Sequence, residues 1–279
     1  MSDVATLAAA PALPRRRVPV GLVLAWAVLA TVLAWAVAPG LFTAYSPVVG
    51  TPGAQLLPPG ADHLLGTDGL GRDGFARVVY GARESLLGAA LAVGVGLALG
   101  TLVGLLAGAA GGLVDAVLMR AVDTALAIPG LLLSLSVIIL LGFGTLNAAI
   151  AVGLVSVAHF ARLARSEVLR VRRADYVEAA FGSGGRFGAV LVRHVLPNAL
   201  TSVLALAALQ FGSAILALST LGFLGYGAPP PTPEWGLLVA EGRDFLGRAP
   251  WLAAAPGLVI LLVVVSTERV GRSLGGTRS

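Results

Sequence analysis

The sequence predicts an all-α integral membrane protein with six transmembrane helices and both termini on the cytoplasmic side. Three observations carry this. Of 279 residues, 57% are hydrophobic and 12% charged, with a mean hydropathy of +0.91; a soluble domain holds about 25% charged residues, so this chain has too little polar surface to cover a globule. The apolar residues fall in runs long enough to cross a bilayer, about 20 residues each. The 19 basic residues are all Arg and are divided unequally between the connecting segments. The same counts exclude a disordered chain. Without Cys there is no disulfide framework or thiolate chemistry. The few Arg are spread between apolar runs, which is a membrane pattern and not a nucleic-acid-binding stripe.

The first span is read at 18–38, after a cytoplasmic tail of 1–17 that ends in Arg15, Arg16 and Arg17. Ala36-Val37-Ala38 resembles a cleavage site, but the apolar run exceeds the 7–15 residues usual in a signal peptide, which favours an anchor. An exoplasmic loop over 39–84 follows, rich in Pro and Gly. Within it, Gly69-Leu70-Gly71-Arg72-Asp73-Gly74 formally matches a dinucleotide fingerprint. That motif needs a βαβ unit, for which there is no room between two spans. Asp62, His63, Asp68 and Asp73 have metal-ligand chemistry, but turns capped by Asp, then an amphipathic segment from Phe75 to Glu84, explain them more simply.

Residues 85–268 are read as a five-helix core. The run 85–114 carries Gly96, Gly100, Gly104, Gly108 and Gly112 every four residues, a small-residue stripe that lets a second helix approach closely. The run 124–161 is too long for one span and breaks at Gly142-Phe143-Gly144-Thr145-Leu146-Asn147, giving two. One span covers about 197–220; Pro229, Pro230 and Pro231 stop it, and an irregular segment follows. The last covers 251–267, flanked by Trp251 and by Glu268-Arg269, before a tail of 269–279. With this threading fourteen Arg lie on the side of the termini and five on the other, so that side is cytoplasmic. No span carries a buried charged residue, which disfavours a carrier driven by intramembrane charge relays.

The cytoplasmic loop 162–195 is the most informative segment. Asp175-Tyr176-Val177-Glu178-Ala179-Ala180 has the acidic first turn of a helix, and Gly182-Ser183-Gly184-Gly185 ends it. A short helix with small side chains under the membrane suits insertion into a cleft on another protein.

Glu178-Ala179-Ala180, Gly184 four residues on, and Leu196-Pro197 beyond it resemble the EAA signature of binding-protein-dependent ABC importer permeases. More narrowly, the chain resembles the C-type permease subunit of dipeptide and oligopeptide importers. The likeness continues through His63 to Asp73, Tyr80-Gly81-Ala82-Arg83, Ala127-Ile128-Pro129, Arg193 to Asn198, Leu221 to Gly225, Pro230 to Gly236 and Glu241-Gly242-Arg243-Asp244. His194 stands where the general signature has an apolar residue, and Gly182, Gly185 and Gly188 shorten the expected coupling helix.

The resemblance implies a type I importer permease fold in the inner or plasma membrane. It implies a noncatalytic subunit paired with a homologous second permease chain, two ATPase domains and an extracytoplasmic solute-binding protein. ATP and Mg²⁺ would sit on the ATPase chains, which agrees with the absence of a phosphate-loop lysine here; no cofactor, metal or nucleic acid is expected on this chain. Tyr176, Val177, Glu178, Ala179, Ala180 and Gly184 would dock on an ATPase. Asp68, Arg72, Asp73, Glu234, Trp235, Glu241 and Arg243 are candidates for exoplasmic contact with the binding protein. Ser134, Asn147, Gln210 and Ser213 are candidates for the substrate path, with Ser136, Ser156, His159, Ser219 and Thr220 as further polar groups in the spans. The implied cargo is a di- or oligopeptide; a nickel chelate or glutathione-like solute is the alternative, and a secondary transporter a more distant one, given no internal repeat.

Overall fold

The computed structural model describes residues 20–172 and 196–275. The Tyr176–Ala180 motif and Gly184 lie outside the described residues. Among the described residues the chain forms α1 (Val20–Val37), a 3₁₀ turn at Pro39–Leu41, α2 (Gly74–Ala110), α3 (Gly112–Ala127), α4 (Gly130–Leu141), α5 (Thr145–Arg172), α6 (Leu196–Phe223), α7 (Trp235–Arg243) and α8 (Trp251–Gly275), with no strand. Five of these helices are long and apolar enough to cross a membrane, and α3 with α4, bent against each other by 98°, pass the same test only together, as a broken span or a re-entrant loop.

The longest helix, α2, has 37 residues and reaches about 55 Å. It begins at Gly74 and not after residue 84, so the segment expected to be a separate amphipathic piece of the loop is the first part of the span. Asp73 sets the start: its carboxylate accepts the Ala76 N–H at 2.6 Å. The far end stops at Gly111, whose φ of +66° no L side chain adopts readily.

Helices α2 and α5 pack along most of their length, and the glycine stripe is the reason. Cβ atoms on Gly96, Gly100 and Gly108 would come within 2.7 Å of Ser156 Cβ, 2.6 Å of the Val157 carbonyl oxygen and 2.9 Å of Val168 Cβ respectively. The fifth glycine of the stripe, Gly112, opens α3 instead. Around this pair Val78, Ala82, Ala89, Val152, Phe160, Ile215, Leu221 and Trp235 form the core. α1 lies outside, against α2 and α8, with Val32 turned inward and Trp26 and Leu33 exposed.

The break at 142–144 is present, with Gly142 and Gly144 at φ +89° and +124°. The span expected before it is not a single rod. Ile128 is extended, as the residue before a proline tends to be, and α3 and α4 meet at 98°. With 12 residues, α4 is about 18 Å long and does not cross a bilayer by itself.

Candidate functional site

Two constructions hold the residues singled out in the sequence. The first is a cavity of about 440 Å³ between α4, α5 and α6. Gly130, Leu131 and Ser134 come from α4, Val152, Val155, Ser156 and His159 from α5, and Gln210, Ser213, Leu216, Ala217 and Thr220 from α6. Ser134, Gln210 and Ser213 are thus brought together, with Ser156, His159 and Thr220 beside them. Ser156 and Thr220 donate to the carbonyls of Val152 and Leu216, four residues back, so their hydroxyls are partly used within their own helices. Ser134 is buried, Gln210 half-buried, and His159 and Ser213 open to the surface. All the lining side chains are apolar or neutral-polar apart from the one imidazole. Such a wall offers hydrogen bonds without a fixed charge to trap an ion.

Asn147 does not reach this cavity. Its amide nitrogen donates to the carbonyls of Leu141 at 2.9 Å and Gly142 at 3.1 Å, closing the C-terminus of α4. Its amide nitrogen is thus engaged at the break.

The second construction ties loop 39–73 to the helices beneath it. Asp68 accepts N–H bonds from Leu70 at 2.9 Å and Arg72 at 3.0 Å through Oδ1. Its Oδ2 takes the Arg72 Nε at 2.6 Å and the Arg77 Nη1 at 2.8 Å. Glu241, from α7, closes the cluster against Arg77 and at 3.4 Å against Arg72. Burial pushes the Asp68 carboxyl up, but the two backbone N–H groups and Arg72 outweigh it and hold it below the usual carboxylate range. Asp73, besides capping α2, bonds His63 Nδ1 at 2.8 Å. Sequence spacing could have paired Asp68 with Arg72; Arg77, nine positions on and on the helix, was not singled out.

Beside this cluster Glu234 caps α7, accepting from the N–H groups of Gly236 at 2.9 Å and Leu237 at 3.0 Å. The Ser85 hydroxyl on α2 donates to the same carboxylate at 3.4 Å. Burial is the main influence on Glu234 and raises its carboxyl above the ordinary value, despite those donors. Trp235 is wholly buried, its indole N–H on the Val78 carbonyl at 2.9 Å. Asp68, Arg72, Asp73, Glu234 and Trp235 are all less than 9% exposed. Within this chain they lock the loop and α7 onto α2. Of that set only Arg243 is exposed, beside Asp244 at 3.2 Å and over the Phe223 ring at 5.6 Å.

The helical bundle agrees with the comparisons with known proteins. Residues 100–275 match the family described as binding-protein-dependent transport system inner membrane component. The chain belongs to this family. It is thus a multipass inner-membrane protein that works with other components of a transport system. It is 40% identical over 84% of its length to 77% of the dipeptide transport system permease protein DppC of Alkalihalophilus pseudofirmus. It is 43% identical over 77% of its length to 71% of the glutathione transport system permease protein GsiD of Shigella flexneri, and 39% over 78% to 73% of the probable D,D-dipeptide permease DdpC of Escherichia coli. A crystal structure of an amino acid ABC transporter superposes with a TM-score of 0.57 at 15% identity, covering 73% of this chain and 94% of that one, which speaks for the fold.

Proposed function

We propose that the family member described here is a noncatalytic permease subunit that, with a homologous second chain, forms the path for short peptides in an ATP-driven importer. The observation that carries the reading is the neutral polar cavity between α4, α5 and α6, in a chain whose relatives bear dipeptide and glutathione permease names. Ser134, Gln210 and Ser213 offer hydrogen-bond donors and acceptors to the backbone amides of a peptide, and the apolar residues between them suit its side chains. ATP and Mg²⁺ belong to two ATPase domains elsewhere in the assembly, and an extracytoplasmic binding protein delivers the solute. The Glu178–Ala180 segment with Gly184 is the coupling contact. A glutathione-like solute is the second reading, favoured by the GsiD relatives.

The test is uptake of a labelled dipeptide, and separately of glutathione, by cells in which this transport system is the sole route. Ser213→Phe, which crowds the cavity, should cut uptake of the true solute by at least about tenfold with unchanged protein in the membrane. Full uptake by that variant would overturn the assignment of the path.

A further inference from the structure

No charged residue stands between Arg17 and Asp62, a run about twice the length that one span needs. Helix α1 takes up only Val20–Val37 of it. The Arg269 guanidinium, at the cytoplasmic border of α8, packs on Gly21. From Gly21 to Val37, at about 1.5 Å per residue, α1 climbs about 24 Å from that border. From Arg269 back to Trp251, α8 climbs about 27 Å. Both helices therefore end at the exoplasmic edge of a hydrocarbon layer about 30 Å thick.

Past that edge the chain stays low instead of rising into water. The 3₁₀ turn Pro39–Leu41 ends the climb. Phe42 then packs edge-on against Trp35, with ring centroids 6.4 Å apart, and Phe75 meets the same indole at 6.0 Å. The chain is tied down again at Thr51, whose N–H donates to the Gly71 carbonyl at 3.0 Å. Between these anchors Leu41 is 83% and Val49 70% exposed, and Phe42, Tyr45 and Val48 are exposed as well. They continue the apolar outer face of α1, where Leu33 and Val37 are exposed. The backbone here is largely served from within. Leu41 and Phe42 donate to the carbonyls of Ala38 and Pro39. The Thr43 hydroxyl accepts the Tyr45 N–H, and the Ser46 hydroxyl accepts those of Val48 and Val49. Donors already engaged lower the cost of leaving bulk water.

We propose that residues 38–49 lie in the headgroup layer of the exoplasmic leaflet, with Leu41, Phe42, Tyr45, Val48 and Val49 dipped into the lipid beneath. The occupant of this surface is zwitterionic phospholipid. The segment has no charge to attract an anionic headgroup or a charged protein face, and Trp35 and Tyr45 are side chains of the kind that settle at the membrane–water border. Apolar groups held this way enter roughly 5–10 Å into the boundary between headgroups and acyl chains. A stretch of the loop expected in water is thus a second membrane anchor beside α1. The proposal stands whichever solute the groove of α4, α5 and α6 passes.

The chain has no Cys, so Leu41→Cys and Val49→Cys can each carry one nitroxide label at an exposed position. The full chain is purified with cysteine-free companion subunits in phosphatidylcholine nanodiscs. Power-saturation EPR then reads accessibility to oxygen and to a water-soluble chromium complex, calibrated with lipids labelled along the acyl chain. Both labels should report a depth below the lipid phosphates, with chromium access at least about fivefold lower than for free label in water. The depth should be unchanged when phosphatidylglycerol is added. Free access of chromium at both positions overturns the proposal. Shielding from oxygen as well, or shielding that appears only with the extracytoplasmic binding protein present, also overturns it, because protein then covers the surface. A depth reached only with phosphatidylglycerol overturns it too, since charge then supplies the attraction. Solute uptake has no bearing on this readout, so failure of the transport reading is recognised separately.

Discussion

Gly100 on α2 lies so close to α5 that a Cβ there would stand 2.6 Å from the carbonyl oxygen of Val157. Phe160 Cβ would stand at 2.5 Å as well, and neither a backbone oxygen nor a Cβ can swing aside. Gly100→Leu should therefore separate the helix pair and destabilise the fold by about 1–3 kcal/mol or more, as overpacking does. The measurement is thermal unfolding in detergent. Gly94, with open space where a Cβ would go, is the control: Gly94→Ala should leave the midpoint unchanged or raise it slightly.

The Asp68–Arg72–Arg77–Glu241 cluster makes a second prediction. Asp68→Ala removes the carboxylate shared by two buried guanidinium groups. Two buried guanidinium groups are then left to Glu241 alone, so the loss approaches, without reaching, the roughly 3–5 kcal/mol of an uncompensated buried charge. Loop 39–73 should become sensitive to limited proteolysis, while a change at exposed Arg243 should leave it resistant. Equal resistance in Asp68→Ala would mean that the backbone bonds of the loop suffice.

Opposite pH dependences follow from Asp68 and Glu234. The folded Asp68 carboxyl is held below its unfolded value, so its contribution is full above pH 3.8 and is lost as pH falls through the folded value. The folded Glu234 carboxyl is raised, so its contribution is full below 4.5 and is lost as pH climbs through the folded value. Glu234→Gln keeps an oxygen for the α7 cap and cannot ionise. It should flatten the decline in stability above pH 4.5, measured as thermal midpoint against pH. A curve still parallel to wild type would assign that decline to another group.

For the coupling segment, Glu178→Lys should leave membrane insertion intact and uncouple ATP hydrolysis from uptake. Hydrolysis assayed beside solute accumulation in proteoliposomes checks this. Wild-type accumulation would dismiss Glu178 as a coupling contact.

How much of this was readable from the sequence depends on the range of each interaction. The glycine stripe was legible because a four-residue spacing fixes a helix face, and that face is where α5 packs. The break at 142–144 was legible from glycine alone. The bend at Ile128-Pro129 was missed because hydropathy runs straight through it; the Pro129-Gly130 pair was the sign. The ionic cluster was half visible: Asp68 and Arg72 are neighbours in sequence, but Glu241 is 169 positions from Arg72 and joins only through the fold. The burial of Glu234 and Trp235 had the same cause, since Ser85 and Val78 are distant in the chain. For Asn147 the sequence could not show the capping bonds, because polarity within a span fits a cap as well as it fits a path.

The joints at either end of α4 have a mechanical consequence. At one end stand Ile128 and Pro129, at the other Gly142 and Gly144, so the helix is held between two non-helical links. Turning it changes a few backbone torsions and breaks none of its internal hydrogen bonds. The wall that carries Ser134 is thus a short segment jointed at both ends, and Ile138 and Ser134, buried, with the Asn147 amide at its C-terminus, are what fix its angle against the membrane-long rods.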